Sequence, residues 1–101
     1  MDLKQLQDMS NLFSRTTGVD GTIWISPKYV KHKPSFKFKH GGVVVSILIE
    51  EPHLVAGKAN KIPSDVLNKA FKWAAENVEP LLKLWNGEYD SAEAIKELKK
   101  V

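Results

Sequence analysis

The sequence predicts an α+β fold formed by one small domain spanning residues 1–101. The Gly41-Gly42 pair separates two segments rich in β-branched and aromatic residues, a pattern typical of a tight β-hairpin. A long apolar pattern with helical spacing follows in the second half of the chain. A length of 101 residues suits one domain with one hydrophobic core.

The first half of the chain is expected to contain a helix followed by three strands. The N-terminal helix is predicted from apolar residues that recur every three to four positions: Leu3, Leu6, Met9 and Leu12 with Phe13. Residues 16–21 break this helix. Alternating β-branched and aromatic residues then indicate strands at residues 22–26, 35–40 and 43–49, and residues 53–58 could add a short edge strand.

The Gly41-Gly42 turn predicts which side chains share a face of the sheet. A two-residue connection places His40 opposite Val43, so one face is apolar and carries Phe36, Phe38, Val45 and Ile47. The other face carries Ser35, Lys37, Lys39, Val44, Ser46 and Leu48. Burying an unpaired ammonium costs several kcal/mol, so we expect the lysines to face solvent. If Ile23 and Ile25 join the apolar face, Trp24 points to the lysine side.

The second half of the chain predicts a long helix that covers the apolar face of the sheet. Its start is expected at Ser64, a natural N-cap, with Asp65 at the positive end of the helix dipole. Pro80 lies inside the helix and should kink or split it near residues 77–79. Ser91 is expected to cap a short C-terminal helix.

The charge distribution points to a candidate binding surface in the middle of the chain. The net charge is only +3, yet no acidic residue occurs between Gly21 and Ile49. The candidate binding residues in and beside this span are Lys28, Lys31, Lys33, Lys37, Lys39, Trp24, His32 and His40. They could contact phosphate groups or an acidic protein, but exposed lysines on strands also serve simply as a solvated face that prevents aggregation.

Several classes of function are disfavoured by composition. The chain has no cysteine, which excludes disulfides, a zinc ribbon and a thiol nucleophile and suits a reducing cytoplasm. We expect a cytoplasmic protein without membrane contact, because no export signal or membrane-spanning run is present. The spacing of His32, His40 and His53 matches no metal-ligand signature, so neither a metal nor a cofactor is expected.

The segment from HKPSFKFKHGG to LLKLWNGE resembles a family of small bacterial domains, the domain-of-unknown-function family 4160. In that family a Pro-His-x-His-Val strand leads through a glycine turn to a second strand and then to a helix ending in Leu-Leu-x-x-Trp. Pro34, the glycine turn and the Leu81-Leu82-Trp85 motif match this pattern, whereas Ser35 and Lys37 replace the two motif histidines. The resemblance implies an α+β fold and a cognate small protein partner, as in toxin–antitoxin-like pairs, but no established reaction.

Three hypotheses for function follow from these residues. The first is a small non-enzymatic binding module whose lysine face meets an acidic protein or, more weakly, a nucleic acid. The second is a toxin-like nuclease that uses His32 or His40 with neighbouring lysines. The third is a structural domain whose apolar N-terminal or C-terminal helix packs on a partner protein.

Overall fold

The computed structural model describes residues 11–25, 33–51 and 55–101, and its centre is a four-stranded antiparallel sheet. Each strand pairs with the next one along the chain, in the order β1-β2-β3-β4. The strands are β1 at Thr22–Trp24, β2 at Ser35–His40, β3 at Val43–Leu48 and β4 at Val55–Gly57. The predicted α+β fold is confirmed, including the short edge strand that follows the hairpin.

The hairpin between β2 and β3 has the predicted register. Gly41 and Gly42 have φ angles of 55° and 81°, which are in the left-handed region that a side chain disfavours. His40 therefore lies opposite Val43, and the pairing continues along both strands to Ser35 and Leu48. This register places alternate side chains on opposite faces of the sheet.

Helices pack on the apolar face of the sheet and complete the core. They are α1 at Ser14–Thr17, α2 at Ser64–Glu76, α3 at Val78–Trp85 and α4 at Ser91–Glu97, with a 3₁₀ turn at Ala59–Lys61. Trp73 of α2 packs edge-on against Phe36, with ring centroids 5.7 Å apart. Both side chains are almost fully buried, together with Phe38, Val45, Ile47 and Leu81. No helix in the described parts of the chain is both long and apolar enough to cross a bilayer.

The predicted break in the long helix occurs at Asn77, between α2 and α3. Pro80 has no N–H to donate to the carbonyl of Glu76, and α2 ends at that residue. The buried Asn77 side chain stabilises the junction, because its Nδ2 donates to the carbonyl oxygens of Trp73 at 2.8 Å and Lys99 at 3.0 Å. Its Oδ1 accepts from the Lys99 amide at 2.7 Å, which attaches the C-terminal segment to the helices.

Two predicted helix caps are wrong. Helix α2 begins at Ser64 itself, with Pro63 in the cap position and no side-chain cap. At α4 the cap is Asp90 rather than Ser91, because its carboxylate accepts from the amide of Glu93 at 2.8 Å. The Glu93 carboxylate accepts from the Asp90 amide in return, so each side chain satisfies a backbone N–H of the other residue. Ser91 could not form such a pair, because the residue three positions after it is Ala94.

The predicted N-terminal helix lies mostly outside the described residues. Its last apolar position, Leu12, is not helical but forms a β-bridge with Ile23. The Leu12 amide donates to the Ile23 carbonyl at 2.6 Å and the Ile23 amide donates back at 2.9 Å. These two bonds satisfy backbone groups on the outer edge of β1 and override the helical spacing of the sequence.

Candidate functional site

The face of the sheet away from the helices carries the predicted lysines, and we call it the open face. Across the four strands, Trp24 pairs with Lys37, Lys37 with Ser46, and Ser46 with Ala56, which forms one continuous row. Lys39 lies in the neighbouring row between Thr22 and Val44. The alternation of β2 thus places Trp24, Lys37 and Lys39 together, as the sequence predicts.

A shallow groove of about 430 Å³ lies on the open face, and we call it the lysine groove. It is lined by Lys33, Ser35, Lys37, Ser46, Leu48, Val55 and Ala56. The Nζ of Lys37 donates to the hydroxyl of Ser46, so this side chain leans from β2 onto β3. The groove combines ammonium and hydroxyl groups with an apolar floor.

Acidic side chains lie at one end of the lysine groove. Lys33 Nζ is 3.7 Å from Glu51 Oε1, and both side chains are largely exposed. Such a pair contributes little to stability but lowers the local positive charge. The hairpin register brings them together, because its pairing continues past the strands through a bond from the Ile49 amide to the Pro34 carbonyl. The same register, extended by two residues, places Lys33 opposite Glu50 and diagonal to Glu51, so the sequence could have identified acidic neighbours for Lys33.

His40 does not join the lysines, although the sequence placed it among the candidate binding residues. It alternates with Lys39 and therefore lies on the covered side of the sheet, 6.5 Å from Phe38 between ring centroids. Its Nδ1 is 2.8 Å from the Asp20 carbonyl oxygen, which can only accept, so Nδ1 carries the proton. This bond holds the loop before β1 against the end of β2.

Three further candidate residues, Lys28, Lys31 and His32, lie outside the described residues, as does His53. Of the described candidates, Trp24 and Lys37 are half-buried, whereas Lys33 and Lys39 are exposed. Beside Lys39, the Val44 side chain is 45 % exposed, so the face offers apolar as well as charged contacts. The sequence did not identify Val55 and Ala56 as part of the site, because their place in the groove depends on the pairing of β4 with β3.

The groups with shifted pKa values lie on the helices rather than on the open face. A hydrogen bond to Tyr89 and the neighbouring Glu79 raise the pKa of Lys83 above its ordinary 10.5. A hydrogen bond to Glu97 raises the pKa of Tyr89 above 10.0. These contacts connect α4 and its preceding loop to α3. Within residues 11–25, 33–51 and 55–101, no three His, Cys, Asp or Glu side chains are grouped so that they could hold a metal ion.

Comparison of the chain with protein-family models, with curated proteins and with solved structures gave no match. The resemblance to the domain-of-unknown-function family 4160 therefore remains a prediction from short motifs. A function has to be argued from the geometry and charge of the open face.

Proposed function

We propose that this protein is a non-catalytic binding module that contacts an acidic partner through its open face, with Lys37 and Lys39 as the principal charged contacts. The lysine groove is the observation that carries this proposal. It joins charged, hydroxyl and apolar residues of β2, β3, β4 and the segment before β2, on a face that the helices among residues 11–25, 33–51 and 55–101 leave uncovered.

The lining of the lysine groove favours an acidic protein segment over a nucleic acid. Besides its ammonium groups the groove has apolar contacts from Leu48 and Ala56, which suit the methylene groups of glutamate side chains. Glu50 and Glu51 border the adjoining hollow beside Lys33 and Leu48, so the positive charge is confined to a short stretch of the face, which suits a short acidic segment better than a long phosphate backbone. Nucleic acids bind through many phosphate contacts, and the described part of the open face offers few free ammonium groups for them.

Binding of labelled probes at low salt tests the proposal. The probes are a peptide of alternating Glu and Val, a peptide of alternating Lys and Val, a short single-stranded RNA and a short DNA duplex. Fluorescence anisotropy of the label measures affinity, and tryptophan emission reports the location of binding. Trp73 and Trp85 are buried while Trp24 is half-buried beside Lys37, so Trp24→Phe should remove most of the emission change.

We expect the Glu-Val peptide to bind and the Lys-Val peptide not to bind. Lys37→Ala and Lys39→Ala should each weaken binding several-fold and reduce its salt dependence, because each removes one ammonium from the face. Lys72→Ala is the matched control, since it removes the same charge from the exposed surface of α2. Equal weakening by all three substitutions would contradict a site on the open face.

The nucleic-acid probes distinguish the alternative partner. If RNA or DNA binds and the Glu-Val peptide does not, the acidic partner is a nucleic acid. In that case the logarithm of the affinity should fall with the logarithm of the salt concentration by about 0.7 for each phosphate contacted on a single strand. Absence of binding by every probe at low salt would overturn the proposed function.

A further inference from the structure

We propose that the acidic partner is an extended peptide segment that pairs with the edge of β4 left unpaired by the described residues and becomes a fifth strand of the sheet. This inference rests on the proposed function and specifies the chemistry and conformation of its ligand. Such strand addition combines main-chain hydrogen bonds with contacts from alternate side chains. Both kinds of contact are available at β4.

The two edges of the sheet differ in the described part of the chain. The outer edge of β1 is paired with Leu12 through two backbone hydrogen bonds of 2.6 and 2.9 Å. In contrast, β4 pairs with β3 alone, and Ala56, Gly57 and the following Lys58 are exposed. Alternate N–H and C=O groups of an edge strand point outward and can pair with another chain.

Part of the positive charge of the open face can be reached from β4. The lysine groove extends from Lys37 on β2 to Val55 and Ala56 on β4, and Lys37 leans onto the intervening strand β3, where it bonds to Ser46. Lys58, which directly follows β4, adds an exposed ammonium at the same edge. Lysines at an edge disfavour pairing with neutral or basic strands, so the charge selects for an acidic segment.

The two-residue period of a β-strand determines which positions of the bound peptide should be acidic. Successive side chains of an added strand point to opposite faces, so carboxylates at every second position would all lie on the side of the lysine groove. The apolar side chains between them would extend the covered face beside Val55, which is half-buried and packs against the core. Strand β4 has three residues and offers few main-chain bonds, so binding should depend on both charge and backbone pairing.

N-methylated peptides test the backbone pairing directly. The parent probe is an acetylated and amidated hexapeptide of alternating Glu and Val. One variant is N-methylated at every Glu and the other at every Val. The two variants therefore have the same amino-acid composition, the same charge and the same number of lost backbone N–H donors. In a paired strand the N–H groups of only one set face β4, since successive N–H groups point in opposite directions.

We expect one methylated peptide to bind the full-length protein like the parent and the other to bind at least about tenfold more weakly, equivalent to ~1.4 kcal/mol. A slip by one residue would not rescue the weak variant, because it would turn valines toward the lysine groove. Parent binding should also slow amide hydrogen exchange at Val55–Gly57 and leave Thr22–Trp24 unchanged, because the β1 edge already has a partner.

The outcomes separate this inference from the proposed function. If the parent peptide binds and both methylated peptides bind equally, strand addition is overturned while the acidic-partner function stands. If the parent peptide does not bind, this inference is overturned, and binding of RNA or DNA would then preserve the broader function. Ala56→Glu, at an exposed position of β4, should weaken binding of the parent peptide, whereas Ala56→Lys should not. Weaker binding by Ala56→Lys than by Ala56→Glu would also overturn the inference.

Discussion

The two faces of the central sheet have different environments, although alternate residues of the same strands form them. Phe36 and Phe38 are 1 % and 0 % exposed, whereas Lys37 between them is half-buried and bonded to Ser46. The covered face holds the structure together through apolar packing, whereas the helices of the described residues do not pack on the open face. The comparison shows that a period of two gives adjacent residues of one strand opposite environments.

The largest expected contrast between the faces is at Phe38 and Lys37. Phe38→Ala should reduce the free energy of unfolding by about 3–5 kcal/mol, because it removes a fully buried ring and leaves a cavity. Lys37→Ala should change it by no more than ~0.5 kcal/mol. Denaturant unfolding of both variants measures the contrast, and similar losses from both would refute the assignment of the faces.

The next contrast concerns the helical layer that covers one face. Asn77→Ala should cost about 2–3 kcal/mol, because the carbonyl oxygens of Trp73 and Lys99 and the Lys99 amide all lose their bonds to this side chain. Asn77→Asp keeps the acceptor but cannot donate to the two carbonyls, so it should cost at least as much. Hydrogen exchange should show faster exchange of the Lys99 amide in Asn77→Ala. An unchanged rate would contradict the role of Asn77 in holding the C-terminal segment.

A smaller and better matched contrast uses two neighbours on β3. Val45→Thr should cost about 1–2 kcal/mol, because Val45 is buried and a hydroxyl there would lose its bonds to water. Val44→Thr is the same chemical change on the open face, where the side chain is 45 % exposed, and should cost no more than ~0.5 kcal/mol. Thermal unfolding compares the pair. A larger loss of stability from Val44→Thr than from Val45→Thr would show that Val44, not Val45, faces the core.

The smallest expected effect lies away from both faces, at Tyr89. The pKa values of Tyr89 and Lys83 are raised, so the folded state favours their protonated forms. Their contribution to stability is therefore complete below about pH 10 and is lost as the pH rises through the raised values. Tyr89→Phe should lower the melting temperature slightly at neutral pH, and the difference should disappear in more alkaline solution. A difference that stays constant with pH would exclude this contribution.

Much of the fold was predictable from local signals in the sequence. Gly41 and Gly42 predicted the register of the hairpin, and Pro80 predicted the helix break, because each acts on the backbone within a few residues. The caps were less predictable. Ser64 and Ser91 are favourable cap residues by type, but Asp90 caps α4 because Glu93 completes a reciprocal pair with it.

The candidate site was predictable only in part. The positions of Trp24, Lys37 and Lys39 on one face follow from strand alternation, which also separates His40 from them. The groove beside Lys37 could be identified only from the position of β4, and its reduced positive charge only from the contact between Lys33 and Glu51. Both features depend on which strand ends meet, so a count of lysines along the chain overstates the charge of the site.

The sequence by itself determined the hairpin register, the division of the sheet into an apolar and a lysine-bearing face, and the break in the long helix. These features arise from periodicity and from backbone constraints that act over a few residues. Only the tertiary structure decided that Leu12 pairs with β1, that Asn77 binds Lys99, and that the edge of β4 borders the lysine groove. These contacts join residues far apart in the chain, and hydrogen bonds between such residues leave no periodic pattern in a single sequence.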